Sequence, residues 1–412
     1  MSKYFDALET RSEEQRESAL TTRLPQQVAH AKADTAWFAE SLRHVDAAAI
    51  TSTAALAALP VVRKIDLIDL QKKRRPFGGL VASGWGTLGR VFSSPGPIYE
   101  PEGRGADYWR TARALYAAGF RPGDLVHNSF SYHMTPGAWI LEAGAQALGC
   151  TVFPAGVGQT EQQVEAMADL QPNGYVGTPS FLRILLEKAD ELGVKLPLLT
   201  KALVSGEAFL PPVRDALLAR GIAGYQAYAT AELGVIAYET EAREGLVVDE
   251  GVIVEIVRPG TGDPVAVGEV GEVVVTTFNM DYPLIRFGTG DLSAFLPGVS
   301  PCGRTNQRIK GWMGRADQTT KVKGMFVHPE QVALVVKRHP EVGRARLVVT
   351  NPDSTDLMTL NCEVGVTRGD GLEAKIAESV RDVTKLRAEV CLVAVGSLPN
   401  DGKVIEDSRK YD

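Results

Sequence analysis

DLVHNSFSYHMTPGAWILEAGAQALGCTVFP, residues 124–154, contains two short apolar runs separated by a longer segment with helical spacing. This pattern predicts a strand over 124–128, a helix over 137–148 and a short strand over 151–154. The alternation continues, with further strands predicted at 174–176, 202–204 and 224–227 and helices predicted from 161, over 180–192 and over 212–220. Alternating strands and helices form a mainly parallel sheet covered on both faces, so the sequence predicts an α/β fold.

The flanking segments indicate further layers. Residues 1 to about 75 have helical spacing, with breaks expected at Pro25 and Pro60. They end in the basic run 72–75, which predicts a solvated helix end, with phosphate binding as the alternative. Residues 247–276 change to period-two alternation, which predicts antiparallel strands in a mixed sheet or a small barrel-like subdomain.

A separate small α+β lobe is predicted after Gly314, so the domains are placed at 1–314 and 315–412. Within this lobe the patterns predict helices over 329–338 and 372–385 and strands over 344–350, 358–364 and, last in the chain, 389–395.

Composition describes an ordinary globular protein. The chain has 412 residues with 44% apolar and 23% charged residues and a net charge of -6, which gives no reason to expect nucleic acid as a partner. No apolar run reaches the ~20 residues of a membrane span, and the polar start gives no secretory signal. The cysteines are scattered, which argues against a disulfide framework or a structural zinc site and favours a cytoplasmic location.

Two motifs near the carboxyl end carry candidate ligand-binding residues: FGTGD, residues 287–291, and GRAD, residues 314–317. An aspartate can accept hydrogen bonds from a ribose diol, and an arginine can add a charge-assisted donor beside it. Asp291 and Arg315 are therefore candidate nucleotide ligands at a domain junction.

These motifs, together with others in the same order, resemble the phenylacetate:CoA ligase branch of the adenylate-forming enzymes. The first segment of that branch is matched by Leu59, Pro60, Lys64, Asp66, Leu67 and 76–78, and the segments around its acid pocket by 121–128, 148–151 and 158–163. The resemblance covers nearly the whole chain. It implies a large N-terminal domain that binds nucleotide and acid, and a small mobile C-terminal domain.

The sequence YATAE, residues 228–232, follows a predicted strand and resembles a turn of that branch. The resemblance implies that Tyr228 stacks on adenine, that Ala227 and Thr230 lie beside the nucleotide, and that Glu232 holds Mg2+. A lone carboxylate suits this ion, which keeps most of its waters. The residues alone also allow a helix that begins at Thr230, with Glu232 near its amino-terminal dipole.

Two more segments would contact the nucleotide. Ser205, Gly206 and Glu207 follow a predicted strand and resemble the branch's loop against adenine, although an ordinary strand-to-helix turn is the alternative. Lys403, in the turn LPNDGK, resembles the mobile lysine that bridges carboxylate and α-phosphate. An ammonium there would stabilise the charge that develops when two anions meet. Without the resemblance, Lys403 could equally be an ordinary exposed residue.

The segment after the second motif would serve coenzyme A. Lys323 and Gly324 resemble the position at which pantetheine passes close to the backbone, which a glycine permits; a tight turn is the alternative reading. Asp317 resembles the hinge residue about which the last domain rotates.

The phosphate loop departs from the branch. FSSPGPIYE, residues 92–100, stands where relatives have Ser-Ser-Gly-Thr-Thr-Gly-Lys, so only Ser93 and Ser94 match, and two prolines remove backbone donors. AMP can still bind under this change, while reaction with ATP becomes slow or is supported differently. Gln318 replaces an acid, and Thr240 and Val247 occupy a stretch in which some relatives carry zinc ligands, so no zinc is expected.

An acid pocket is expected among Tyr132, His133, Phe181, Gly156 and Gly158. Aromatic and small residues suit a flat apolar acid, although they suit a buried core equally. The resemblance implies an AMP-forming acid:CoA ligase that uses ATP, Mg2+ and CoA on a small, aryl or arylacetic acid, and it allows a homodimer. The alternatives are transfer of the acyl group to a carrier protein or an amine, and a nucleotide-binding protein that has lost ATP turnover.

Overall fold

This computed structural model describes residues 2–94, 97–316, 318, 320–322, 325–350, 356–365 and 371–409. The chain divides into two compact units. The first comprises residues 1–254, 275–287 and 296–312, and the second comprises residues 255–274, 288–295 and 313–412. The functional division at Arg315 stays a prediction.

Helices occupy the amino-terminal segment and alternate with strands in the middle of the chain. The α-helices of the described residues are α1 (Glu13–Asp34), α2 (Ala36–Ser41), α3 (Thr53–Ala57), α4 (Leu67–Lys73), α5 (Thr111–Ala117), α6 (Gly137–Leu148), α7 (Thr160–Leu170), α8 (Pro179–Glu191), α9 (Pro211–Ala219), α10 (Pro329–Lys337) and α11 (Leu372–Thr384).

Strands follow the predicted alternation and extend beyond it. They are β1 (Val62–Arg63), β2 (Arg90–Ser94), β3 (Ile98–Glu102), β4 (Leu125–Asn128), β5 (Thr151–Pro154), β6 (Gly174–Gly177), β7 (Lys201–Val204), β8 (Ala223–Thr230), β9 (Gly234–Tyr238), β10 (Leu246–Val248), β11 (Val252–Val257), β12 (Gly271–Thr277), β13 (Phe287–Ser293), β14 (Phe295–Leu296), β15 (Arg308–Ile309), β16 (Thr320–Val322), β17 (Met325–Val327), β18 (Val342–Thr350), β19 (Leu357–Val364), β20 (Glu389–Ala394) and β21 (Ile405–Asp407).

A mixed nine-stranded sheet confirms the predicted α/β class. Its order is β14-β15-β10-β9-β8-β7-β6-β4-β5. The strands from β8 to β5 pair in parallel. The neighbours β9, β10 and β15 pair antiparallel. The parallel half is the part that the strand-helix alternation predicted.

Both faces of the parallel half are covered. Val176 and Leu203 belong to an apolar cluster with α5 and α6. Tyr175 and Ala202 belong to another cluster with α7, α8 and α9. Because successive strand residues point to opposite faces, neighbours in sequence enter different cores. Loops after the carboxyl ends of these strands meet at one edge of the sheet, which is where such sheets bind ligands.

Two four-stranded sheets lie outside the nine-stranded one, and β2-β3 and β16-β17 each form a two-stranded sheet. One four-stranded sheet has the order β1-β13-β12-β11 and contains the strands predicted as a mixed sheet or barrel-like subdomain. The other has the order β20-β19-β18-β21 and is covered by α10 and α11 through Val332, Val335, Ile376 and Val380. This lobe has the predicted α+β composition.

Two predictions of local structure were wrong. Pro25 lies inside α1 and does not break it, because Leu24, Val28 and Ala31 are buried on one helix face and their packing outweighs the lost hydrogen bond. The strand β20 is not the last, because β21 follows and pairs in parallel with β18. Among the described residues, no helix is both long enough and apolar enough to cross a bilayer.

Candidate active site

Glu232 lies on a tight turn that joins β8 and β9. In this pair of strands Thr230 is opposite Gly234, and the register is irregular between Tyr228 and Ala229. The Thr230 hydroxyl accepts a 3.3 Å hydrogen bond from the Leu233 amide within the turn. The alternative of a helix beginning at Thr230 is therefore wrong. The hairpin leaves Tyr228 half-buried while it buries the Glu232 side chain completely.

Lys64 is the partner of Glu232. Its ammonium lies 2.8 Å from Glu232 Oε1, yet neither carboxylate oxygen accepts a hydrogen bond of favourable geometry from the described residues. Lys64 begins a short 3-10 helix that follows β1, far from Glu232 in sequence. Lys64 belongs to a segment that resembles the family, but no contact was predicted for it.

The strands β2 and β3 contain the residues that the resemblance predicts at the position of a phosphate loop. β2 and β3 pair in antiparallel register from Arg90 opposite Glu102 to Ser94 opposite Ile98. The Ser93 amide donates to the Met134 carbonyl at 2.9 Å. The Ser94 hydroxyl donates to Glu100 Oε1 at 2.5 Å and is buried. Contacts of Ser93 and Ser94 with a nucleotide stay predictions, and 95–96 lie outside the described residues.

Glu100 is a buried carboxylate that the sequence analysis did not single out. Its Oε1 accepts from Ser94, and its Oε2 has no hydrogen-bond partner among the described residues. Burial raises the pKa of the Glu100 carboxyl to about 8, and the negative charge of Glu232 contributes to the rise. The adjacent acid on the hairpin, Glu102, is satisfied by contrast, because it accepts from Trp109 Nε1 at 2.9 Å and from Arg90 at 2.7 Å.

The predicted adenine loop follows β7. The Ser205 hydroxyl donates to the Ala227 carbonyl at 2.8 Å, which ties the loop to β8. Gly206 has a positive φ of 84°, and a Cβ there would lie 3.5 Å from the Phe130 ring. Glu207 accepts a 2.6 Å hydrogen bond from the Ser180 amide at the start of α8. Phe130 is thus a neighbour of this loop that sequence reasoning missed.

Part of the predicted acid pocket is joined by polar contacts. Asn128 donates to the Tyr132 hydroxyl at 2.9 Å, and its carbonyl accepts from the Gly156 amide at 3.0 Å. Gln163 holds the same loop by donating to the carbonyls of Gly156 and Gly158 at 3.0 and 2.7 Å.

Tyr132 also donates to Glu142 at 2.6 Å, and burial, followed by this acid, raises the pKa of its phenol. Two other predicted pocket residues have different surroundings. His133 is exposed, and Phe181 packs against the apolar cluster of α8. Their contribution to an acid pocket stays a prediction.

Asp291 and Arg315 lie together in the second unit. Arg315 Nη1 is 2.8 Å from Asp291 Oδ1, and the two residues form an isolated antiparallel bridge. The Asp291 side chain is 12% exposed and that of Arg315 is 49% exposed. The predicted pair of nucleotide ligands is therefore adjacent, with the arginine reaching toward solvent.

Lys403 shares a cavity of about 260 Å3 with Arg315 in the second unit. Its backbone is held firmly. Arg346 donates to the Lys403 carbonyl at 3.2 Å. Gln318 donates to the Gly402 carbonyl at 3.0 Å and accepts from the amides of Val404 and Ile405 at 2.5 and 2.8 Å. Lys403 itself is exposed.

Asp317, Lys323 and Gly324 lie outside the described residues, so the hinge and the coenzyme A contacts stay predictions. Within the described ranges, no group of three or more His, Cys, Asp or Glu residues is arranged to hold a metal ion.

Comparisons with known proteins show what this chain is similar to. Residues 110–280 match the AMP-binding enzyme family. A phenylacetate-coenzyme A ligase of Thermus thermophilus is 31% identical, over 84% of this chain and 84% of the relative. One of Escherichia coli strain K12 is 28% identical, over 97% of this chain and 96% of the relative. The crystal structure of a 2-hydroxyisobutyryl-CoA ligase in the postadenylation state superposes with a TM-score of 0.73 at 26% identity, covering 99% of this chain and 93% of that one.

Proposed function

Because this chain belongs to the phenylacetate-coenzyme A ligase family of AMP-forming enzymes, we propose that it activates a small aromatic carboxylic acid and transfers the acyl group to coenzyme A. The observation that carries the proposal is the similarity to these ligases along almost the whole chain, with Asp291 and Arg315 adjacent in the fold.

The reaction has two steps. In the first, a carboxylate oxygen of the acid attacks the α-phosphorus of ATP, and the bond to the β-phosphate breaks to release pyrophosphate. In the second, the thiol sulfur of coenzyme A attacks the acyl carbon, its proton passes to solvent, and AMP leaves. Adenylation converts a poor leaving group into a good one, which is the chemical reason for the first step.

Several residues have proposed nucleotide contacts. The Asp291 carboxylate would accept hydrogen bonds from the ribose diol, with the Arg315 guanidinium as a charge-assisted donor beside it. Tyr228 would stack on adenine, with Ser205 and Glu207 as further contacts of the base.

Lys403 would act in the first step. Its turn is fixed by Gln318 and Arg346, while its side chain is exposed beside Arg315. An ammonium positioned in this way stabilises the negative charge that develops as carboxylate and phosphate approach each other.

Glu232 fits a divalent cation. It is a buried carboxylate without a hydrogen-bond donor of favourable geometry among the described residues, and Mg2+ commonly uses one or two carboxylates together with phosphate oxygens and waters. When bound, the ion would neutralise charge on the phosphates of ATP. Lys323 and Gly324 as coenzyme A contacts, Asp317 as a hinge, a cytoplasmic location and a homodimer belong to the same proposal.

The experiment is to incubate the purified full-length protein with ATP, Mg2+ and coenzyme A and with phenylacetate, benzoate or 2-hydroxyisobutyrate. We expect AMP and an acyl-CoA thioester with an aromatic acid, and neither product when the acid is omitted. Thioester from 2-hydroxyisobutyrate alone would contradict the aromatic assignment. A folded protein that gives no AMP with any acid would contradict the ligase activity.

One observation favours a second candidate function. The Ser94 hydroxyl, a predicted phosphate ligand, donates to the protein's own Glu100, which suits a protein that binds AMP without turning over ATP. Titration calorimetry with AMP, together with the assay for AMP formation from ATP, distinguishes the two functions. Binding of AMP without formation of AMP from ATP would support this second candidate.

A further inference from the structure

Three buried polar atoms of the first unit accept or donate no hydrogen bond among the described residues and belong to groups that interact electrostatically. They are Glu100 Oε2, Glu232 Oε2 and the Tyr282 hydroxyl, and none has a hydrogen-bond partner within the described ranges. Both carboxylates interact electrostatically with Tyr282, and Glu232 interacts electrostatically with Glu100. Buried polar atoms without partners are rare in native proteins, and an unseen water or ion is a common explanation.

The charges around these atoms do not balance when both acids are ionised. Glu100 is 0% and Glu232 3% exposed, so neither acid is solvated from outside. Lys64, paired with Glu232 at 2.8 Å, supplies one positive charge against two negative charges. A buried charge without compensation is strongly disfavoured, so the cluster should take up either a proton or a further cation.

The position of Glu100 favours the cation. It lies on the hairpin that replaces the glycine- and threonine-rich phosphate loop of relatives, and Ser94 orients it through Oε1. This leaves Oε2 available. Two carboxylates with open coordination positions suit a hard divalent ion that also binds phosphate oxygens.

We propose that Glu100 and Glu232 together bind the divalent cation that accompanies ATP, with Lys64 as the counterion that this cation displaces. The inference deepens the proposed function, because the same cation serves the ATP reaction. It explains how the altered hairpin supports nucleotide chemistry: a carboxylate on the hairpin substitutes for the missing hydroxyl groups.

The test measures Mn2+ binding to the full-length protein without ATP, acid or coenzyme A, from the electron paramagnetic resonance signal of free Mn2+. We expect one site in the wild type and at least about tenfold weaker binding in Glu100→Gln and in Glu232→Gln. Glu102→Gln is the matched control, because Glu102 is a buried acid of the same hairpin whose oxygens already have partners. It should bind Mn2+ as the wild type does.

For Lys64→Met we expect the affinity for Mn2+ to change in the opposite direction. Removing the competing ammonium should tighten Mn2+ binding, which a purely structural lysine would not do. Thermal unfolding monitors the fold of each variant. If Glu100→Gln does not fold, Glu100→Asp retains the charge but draws the carboxylate back, and it should also weaken binding.

Three results would overturn the inference: no Mn2+ bound by the wild type at millimolar metal, unchanged affinity in the folded Glu100 variants, or weaker binding in Lys64→Met. These outcomes are independent of ligase activity. A protein that forms thioester but binds Mn2+ normally without Glu100 loses only this inference. A protein that forms no thioester but needs Glu100 for Mn2+ loses only the proposed function.

Discussion

Arg315 and Asp291 are connected both through the backbone and through their side chains. They form an antiparallel bridge, and Arg315 Nη1 lies 2.8 Å from Asp291 Oδ1. The flanking backbone is also paired, since the Leu292 amide donates to the Gly314 carbonyl and the Ala316 amide to the Gly290 carbonyl, at 2.9 and 2.7 Å. The guanidinium is therefore positioned beside the carboxylate before any nucleotide arrives, which reduces the entropy lost on binding.

Gly290 gives this arrangement a test. It has a positive φ of 73°, and a Cβ there would lie 2.7 Å from Arg315 Nη2. Gly290→Ala should displace the guanidinium and weaken AMP binding about tenfold, since a hydrogen bond to a charged group contributes about 1.5–3 kcal/mol. Titration calorimetry with AMP measures the effect.

Gly298→Ala is the matched control for backbone strain. Gly298 has a similar φ of 72°, but a Cβ there meets no atom within 4 Å. Equal loss of AMP affinity in both variants would show that strain, and not displacement of Arg315, causes the effect.

Gln318 gives a second prediction. Its amide nitrogen donates to the Gly402 carbonyl at 3.0 Å while its oxygen accepts from two amides beside Lys403. A carboxylate cannot donate, so Gln318→Glu should repel the Gly402 carbonyl and misplace Lys403. We expect pyrophosphate release to slow about tenfold or more in kcat with the Kd for AMP unchanged, since misplacement of a catalytic group is costly.

Gln331→Glu is the control for this substitution. Gln331 also donates with its nitrogen, to Val383, and accepts with its oxygen, from His328, within the same unit. A rate loss of equal size in both variants would mean that general destabilisation, and not the Lys403 turn, is responsible.

Lys403→Ala separates chemistry from binding. The ammonium should stabilise charge in the first step only, so we expect adenylation to fall at least about 100-fold while AMP affinity stays within about twofold. Thioester formation from a supplied acyl adenylate should persist. Lys375→Ala, which removes an exposed lysine of α11, should change neither rate. Parallel loss of AMP affinity in Lys403→Ala would contradict the assigned role.

Local patterns predicted much of the fold. The helix Gly137–Leu148 and the strand Thr151–Pro154 have the predicted bounds. The apolar residues of each element follow one secondary-structure period, and glycine and proline residues mark the ends of the elements. The strand β21 was missed because a segment of three residues is too short to show an alternation of apolar and polar residues. Its pairing with β18 also depends on a contact between segments that are distant in sequence.

Only part of the candidate site could be predicted from sequence motifs. Asp291 and Arg315 could be proposed from motif order, and the structure places them side by side. The contact of Lys64 with Glu232, and the burial of Glu100, follow from the packing of segments far apart in the chain, which no local pattern reports. In 92–100 the Ser-Ser match predicts hydroxyl groups as phosphate ligands, but it carries no information about the burial of Glu100.

Asp107 predicts a pH dependence of stability. Its carboxylate accepts from the amides of Thr111 and Ala112 at 2.7 and 3.1 Å at the start of α5. Burial raises the pKa of Asp107 from 3.8 to about 6, and the charge of Asp249 adds to the rise. Between these values the folded state retains a proton that the unfolded state has released, so the free energy of unfolding falls as pH rises from about 4 to about 6.

Asp107→Asn removes this titration while it keeps a side-chain oxygen as acceptor, and asparagine tolerates the positive φ of 48° at this position. Relative to the wild type, the variant should therefore gain about 2–3 kcal/mol between pH 4 and pH 7, measured by urea unfolding. Asp190→Asn is the control: Arg220 lowers the pKa of Asp190 below 3.8, so its difference from the wild type should stay flat over this range. If the Asp107→Asn difference is flat as well, the carboxylate is ionised throughout, and its burial does not control the stability of the folded state in this range.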